Sequence, residues 1–342
     1  MPFEAERFTL ARRRLLTGGG ALGLTGVLAA CGSGDDEDDA AESSGSWSFT
    51  DDRGETAELD TTPTELVAYT GMAAALHDFG VTVKGVFGPT TKEDGSLTTQ
   101  AGDLPVEELT VIGNTYGEFD IEAYAALAPQ VLSTHYYGDP SDLWYVPAES
   151  LDEISDLAPV VAIDVNDGQN TLPEVIERHA ELAASLGADL ESEAVEAAKE
   201  RFDEAVEALR QAAADNPVKV LACSAGPEDF WASNPDSAND MRFFTELGVD
   251  FIVPDDLDEG GYYETLAWEN ADKYDADLIF LDAREQAIQP DGLADFPTWN
   301  ALPAVQAGQI AAWDAEPLYG YGLAERSVRA LAEAIANAEK LF

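Results

Sequence analysis

The chain has 342 residues, with 18 Lys+Arg against 67 Asp+Glu, three His and two Cys, a formal charge of −49 at pH 7. So few cations exclude duplex nucleic acid as a partner, because such binders cluster Lys and Arg against phosphates. Two cysteines and three histidines exclude a disulfide framework, a four-thiolate zinc site and a histidine-rich metal centre, while 45% hydrophobic residues are enough for a core spread over two domains.

The chain opens on an export address. Arg12, Arg13 and Arg14 precede Leu15–Ala30, an uncharged run shorter than the roughly 20 residues that span a bilayer, which predicts a signal-peptide core over residues 1–30. Its end, Leu28-Ala29-Ala30-Cys31-Gly32, resembles a bacterial lipoprotein cleavage box that makes Cys31 the lipid-bearing N-terminus. Ala11-Arg12-Arg13-Arg14-Leu15-Leu16 resembles a twin-arginine export signal. An uncleaved anchor is the alternative, and either reading puts the folded part outside the cytoplasm, held at the outer face of the cell membrane. Residues 31–46 are Gly/Ser-rich with six acidic side chains, a self-repelling flexible tether. Cleavage before Cys31 removes four Arg and two Glu, leaving 14 basic against 65 acidic residues.

From Trp47 to Gly187 short apolar runs alternate with helical patterns. Strands are predicted at Leu66–Tyr69, Val83–Phe87, Val131–Thr134 and Val160–Ile163, which marks an α/β lobe over residues 47–187. Thr171-Leu172-Pro173-Glu174 has the form of a capping box and Gly187 of a helix stop; between them His179 shares an apolar face with Val175, Leu182 and Leu186 and reads as core. Within residues 188–216, apolar positions from Leu190 to Ala213 predict one amphipathic helix over Glu191–Ala214, about 36 Å long and able to join two lobes. Residues 217–342 repeat the α/β alternation, with strands at Val218–Cys223, Phe251–Val253, Leu278–Leu281 and Gln309–Trp313 and a helix from Ala324 to Leu341. Cys223 falls in a strand and reads as an inert core thiol. Glu122 precedes Val131, and Glu269 precedes Leu278, by the same nine residues, a weak internal echo between the halves.

Three further motifs arrive in order: Asp120-Ile121-Glu122-Ala123-Tyr124-Ala125-Ala126-Leu127-Ala128-Pro129-Gln130-Val131-Leu132, Tyr274-Asp275-Ala276-Asp277-Leu278-Ile279-Phe280-Leu281, and Trp299-Asn300-Ala301-Leu302-Pro303-Ala304-Val305-Gln306-Ala307-Gly308-Gln309-Ile310. With the lipoprotein signal and the long helix, they make residues 47–340 resemble the substrate-binding lipoproteins of iron-siderophore ABC importers, the group that also includes cobalamin and haem binders. The resemblance implies an α/β fold of two Rossmann-like lobes joined by one long α-helix (the class III periplasmic-binding-protein fold), with the ligand between the lobes and little hinge motion. It implies a monomeric binding protein with no enzymatic activity, which captures a ferric siderophore and passes it to an ABC permease and its ATPase. It carries no cofactor or protein-bound metal, since the siderophore itself holds the iron. It also implies permease docking through one glutamate on each lobe, here Glu122 and Glu269. Asp120 as N-cap, and Thr265 as cap of the helix carrying Glu269, would keep both carboxylates at helix starts.

Ligands of open α/β lobes sit beyond the C-terminal ends of the strands. The candidate contacts there are Tyr69, Met72, His135, Tyr136, Tyr137, Trp144 and Tyr145 in the first lobe, and Phe230, Trp231, Tyr262, Tyr263, Arg284, Trp313, Tyr319 and Tyr321 in the second. Aromatic faces suit a bulky ligand, with tyrosine hydroxyls and Arg284 bonding the oxygens around the chelated iron. Scarce cations favour a neutral or cationic complex, such as a ferric hydroxamate, over a triply anionic catecholate. Cobalamin, and haem ligated by Met72 and His135, stay open as alternatives. Trp299 reads as structural, and Arg242 as uncommitted between the cleft and an acidic neighbour. The readings from a different class are a lipid-anchored hydrolase or an adhesion module; the lack of Gly-x-Ser-x-Gly, His-Glu-x-x-His, Gly-x-x-x-x-Gly-Lys and Cys-x-x-Cys counts against the hydrolase.

Overall fold

A computed structural model describes residues 45–342. The signal segment, Cys31 and the tether as far as residue 44 lie outside the described residues.

A hairpin of β1 (Trp47–Thr50) and β2 (Thr56–Leu59) precedes the first sheet. That sheet grows from β3 (Leu66–Tyr69), α1 (Thr70–Asp78), β4 (Gly85–Phe87), β5 (Thr110–Val111), α2 (Ile121–Ala126), β6 (Val131–Tyr136), α3 (Leu151–Leu157) and β7 (Val160–Asp164). Its five strands run in the order β5-β4-β3-β6-β7, every pairing parallel. β3 and β6 are buried along their whole length, as expected of parallel strands covered on both faces.

α4 (Leu172–Ser185) starts and stops where its residues dictate. Glu174 accepts from the Thr171 N–H at 2.8 Å, and Gly187 takes φ +96° while Gly187 and Ala188 donate to Ala184 and Ala183. This closes the helix as a Schellman motif, a geometry that disfavours side chains with a Cβ.

α5 (Glu193–Asp215) is capped by the Ser192 hydroxyl, buries Val195, Ala198, Phe202, Ala205, Leu209, Ala212 and Ala213, and spans about 34 Å between the two sheets.

Beyond it lie β8 (Lys219–Ala225), β9 (Asp229–Ser233), α6 (Asn239–Glu246), β10 (Asp250–Phe251), β11 (Tyr263–Ala267) and β12 (Leu278–Asp282). Three short helices follow, α7 (Pro290–Leu293), α8 (Pro297–Ala301) and α9 (Pro303–Gln306), and then β13 (Ile310–Trp313) and α10 (Tyr321–Asn337). The second sheet runs β11-β9-β8-β12-β13. β8 changes partner along its length, pairing parallel to β10 through Lys219 and Val220 and antiparallel to β9 through Cys223–Ala225. In each sheet the central strand, β3 or β8, is followed in the lateral order by two parallel strands, so β6 and β12 hold equivalent places.

α10 runs beside α5 as a second strut. Tyr321 packs on Phe79 and Phe202, and the Asp78 carboxylate accepts from the Gly322 N–H at 2.9 Å, tying this C-terminal helix to the first sheet's α1. Farther along, α10 covers β13 of the second sheet. One continuous apolar core therefore runs from the first sheet through the α5–α10 pair, and a second lies under the outer face of the second sheet around Phe230, Leu281 and Trp299. Cys223 is fully buried in that second core, where burial pushes its thiol pKa up.

Candidate binding cleft between the two sheets

The C-terminal edges of both sheets face one cleft of about 700 Å³. Tyr137 and Asn166 follow β6 and β7, while Ser224, Asp282 and Trp313 end β8, β12 and β13. Tyr137, Trp144, Trp231, Tyr262, Tyr263, Arg284, Trp313 and Tyr319 line it. Trp144 is pinned to β6 by its N–H on the His135 carbonyl at 2.8 Å and by the Thr134 hydroxyl on its own carbonyl at 2.7 Å. The next residue, Tyr145, takes φ +60°, a left-handed conformation costing about 1 kcal/mol outside glycine. Its ring stacks on Tyr69 at 5.2 Å and so holds the turn that carries Trp144.

The remaining candidates do not line the cleft. Tyr136 and Phe230 each precede a lining residue, and strand alternation turns them to the opposite face, into the core. Tyr145 is buried beneath Trp144. Tyr321 packs on the helix pair, with Lys199 Nζ 4.7 Å from its ring centre. Met72 is fully buried in α1. His135 is bonded to His179, Nε2 to Nε2 at 2.9 Å; His179 Nδ1–H donates to the Val175 carbonyl, so His135 supplies the shared proton. Neither Met72 nor His135 is free to ligate haem, which removes the basis on which haem stood as an alternative. Tyr69 reaches the cleft only indirectly, donating its hydroxyl to Glu316 Oε2 at 2.5 Å.

Glu316 organises the floor. Besides Tyr69 it accepts from Trp144 Nε1 at 3.3 Å and from Arg284 Nη1 at 3.1 Å, joining both sheets through one carboxylate. Arg284 is held from its other side by Asp282, at 2.7 Å from Nη2, and Asp282 also accepts from the Ser224 hydroxyl at 3.0 Å. Burial draws the Arg284 pKa down, but Asp282 and Glu316 more than offset it and the net shift is upward. The guanidinium is thus a neutralised member of a triad, with two of its five N–H groups left for a ligand. Burial, reinforced by the Glu316 charge, raises the pKa of the Tyr137 hydroxyl and keeps it a donor. Asp139 and Asp142 also border the cleft, so among the described residues four carboxylates and one basic side chain line it.

A polar seam closes the back of the cleft. Arg242 Nη2 donates to Asn166 Oδ1 at 2.8 Å and to the Asn170 carbonyl at 2.7 Å, and Asn166 Nδ2 donates to the Ser237 carbonyl at 2.7 Å. Arg242 therefore joins the lobes instead of reaching the ligand space. Glu316, Asp282, Asn166 and Asn239 were missed in the sequence. The rule that located the aromatics, a place just past a strand's C-terminal end, would have flagged Asp282 and Glu316 as well.

The two glutamates proposed to dock lie at the opposite edge. Glu122 is exposed in the first turn of α2, where Asp120 caps the helix by accepting from the Ala123 N–H at 2.9 Å. Glu269 is exposed on a short 3-10 turn, Trp268–Asn270. Thr265 does not cap it: Thr265 pairs with Trp231 inside β11, and Ala267 precedes the turn. Both glutamates stand nine residues before strands that hold equivalent places, β6 and β12.

Among solved structures, the chain is 48% identical to DesE, a ferric-siderophore receptor protein from Streptomyces coelicolor, with TM-score 0.83 over 86% of this chain and 100% of that one. The Fe3+-Desferal bound siderophore binding protein FhuD from Vibrio cholerae is 20% identical with TM-score 0.57 over 80% and 98% of the two chains, a likeness of fold. The Fe(3+)-citrate-binding protein YfmC of Bacillus subtilis strain 168 is 23% identical over 277 residues, 79% of each chain. The family model described as periplasmic binding protein matches residues 66–317, and with sheets, strut and cleft arranged as above this chain belongs to that family.

Proposed function

We propose that this chain is the extracytoplasmic binding component of an importer, capturing a ferric siderophore in the cleft and delivering it to an ABC permease. The observation that carries the reading is the cleft itself, walled by aromatic rings from both sheets and large enough for a chelate. The 48% identity to a ferric-siderophore receptor supports it. The iron is cargo, held by its chelator, and the protein acts by binding, with no catalytic step. Four carboxylates around one already paired guanidinium disfavour a triply anionic ferric catecholate and favour a neutral or cationic ferric hydroxamate. Attachment to the membrane through a lipid on Cys31, after twin-arginine export, follows from residues 1–31 of the sequence. Glu122 and Glu269, exposed at the edge away from the cleft, are the proposed contacts to basic residues of the permease, and the chain acts as a monomer.

Three of the six tryptophans, Trp144, Trp231 and Trp313, line the cleft. Titration of the mature protein with iron-loaded hydroxamates, iron-loaded catecholates, cobalamin and haem should therefore quench its fluorescence with the hydroxamates at submicromolar concentration. Tightest binding of a catecholate would overturn the hydroxamate preference, tightest binding of cobalamin or haem the siderophore reading, and silence with all four the importer reading.

A further inference from the structure

We propose that Glu316 is the residue that sets which charge class of chelate the cleft accepts, because it occupies one arm of Arg284 and so withholds the cleft's cation from anionic ligands. This assignment rests on the importer reading above and names the side chain behind its charge preference. Arg284 is the only basic side chain among the described residues that line the cleft, and 27% of it is exposed. Asp282, two residues earlier, holds the guanidinium along one edge, accepting from Nε at 3.0 Å and from Nη2 at 2.7 Å. Glu316, in the loop between β13 and α10, takes Nη1 at 3.1 Å. A guanidinium that already faces two carboxylates offers an incoming anion little net attraction.

The two oxygens of Glu316 have separate tasks. Oε2 accepts from Tyr69 Oη at 2.5 Å and from Trp144 Nε1 at 3.3 Å, whereas Oε1 faces Arg284. The Tyr69 ring that fixes Oε2 is clasped between Gly71 and Gly88, where an added Cβ would come within 2.9 and 2.8 Å of it. An indole N–H only donates, so an amide in this place keeps its oxygen toward Trp144 and Tyr69 and turns its NH2 toward Arg284. Two donors then face each other, and Arg284 Nη1 is left for an acceptor on the ligand. Glu316→Gln therefore reverses one contact and removes one negative charge from the cleft while keeping both bonds to the first sheet. Asp282 does not allow so clean a change, because its carboxylate also holds the Ser224 hydroxyl and the Arg284 backbone N–H.

The test uses two iron-loaded chelators built on one linear scaffold, a trihydroxamate whose ferric complex is neutral and a tricatecholate whose complex is triply anionic, titrated into the mature protein by tryptophan fluorescence. Wild type should prefer the hydroxamate, and that preference should shrink as salt is raised. Glu316→Gln should move the ratio of the two affinities toward the catecholate by about tenfold, the effect of removing one charge near a triply charged ion in a solvated cleft. Tyr69→Phe cuts a bond that ties Glu316 to the first sheet but keeps the charge, and should leave the ratio within about twofold of wild type. Should Glu316→Gln fail to fold, Tyr69→Phe combined with Glu316→Leu removes donor and acceptor together, a gentler change than stranding either, and should shift the ratio in the same direction. A ratio that Glu316→Gln leaves in place, that Tyr69→Phe moves as far, or that salt does not change in wild type would overturn the assignment. Wild-type preference for the catecholate would overturn it together with the hydroxamate preference, and no binding of either chelate would overturn the siderophore reading on which it rests.

Discussion

Removing the Glu316 carboxylate should unfasten the cleft floor. Its side chain is 6% exposed and accepts three bonds from two different sheets. Glu316→Ala strands the hydroxyl of Tyr69, a residue 1% exposed, which has no other partner among the described residues; an unsatisfied buried donor costs about 1–3 kcal/mol. Arg284 keeps Asp282 but loses its second carboxylate, and Trp144 Nε1 loses its acceptor, together about 1–2 kcal/mol more because both are only partly screened by solvent. The expected loss is about 3–4 kcal/mol. Glu316→Gln keeps one side-chain carbonyl for Tyr69 and should lose only about 1–2 kcal/mol, since it forfeits the charge but not the acceptor. Urea unfolding of the ligand-free protein at pH 7, followed by tryptophan fluorescence and far-UV circular dichroism, measures both. A loss below about 1 kcal/mol for the alanine variant, or equal losses for the two variants, would refute the bonding scheme, in which the buried hydroxyl has no other acceptor among the described residues.

Arg242→Ala should cost about 1–2 kcal/mol and speed hydrogen exchange in the Val165–Asn170 loop, which it ties to the second sheet; unchanged exchange there would count against the seam. Burial holds His179 near a pKa of about 4, and burial together with the His179 ring holds His135 well below the ordinary imidazole range. The unfolded chain takes up these protons near pH 6.5, so the pair's contribution is complete above about 6.5 and is lost as pH falls toward 4. Asp240, raised to about 6 by burial, works in the opposite sense, its contribution fading as pH rises through 6. The stability difference between wild type and a His135→Phe, His179→Leu variant cancels the Asp240 effect and should narrow from pH 7 to 4.5; a constant difference would contradict the neutral pair. Glu122→Ala combined with Glu269→Ala should abolish uptake by cells and leave chelate affinity within about twofold, since both side chains are exposed at the sheet edge away from the cleft. A loss of affinity would assign them to the binding site instead.

The elements expected from the sequence fall within a few residues of those observed, whereas β1, β2, β5, β9 and β11 were not foreseen. β3 spans Leu66–Tyr69 and α4 lies between Thr171 and Gly187, because capping chemistry and apolar runs are properties of neighbouring residues. The site was only half legible, and adjacent residues show why. Tyr136 and Tyr137, or Phe230 and Trp231, look alike as residue types, yet one of each pair enters the core and the other the cleft according to strand phase. A one-residue uncertainty in where a strand ends reverses that assignment.

Composition and pattern by themselves determined an acidic chain, two α/β series and an amphipathic helix between them, since each of these follows from residue content or spacing along the backbone. Only the tertiary structure decided that Arg284 is shared between Asp282 and Glu316 and that His135 is committed to His179. Those partners lie between 2 and 44 residues apart. Whether a polar group is free for a ligand depends on what packing brings within 3 Å of it, and that distance is set by the fold as a whole.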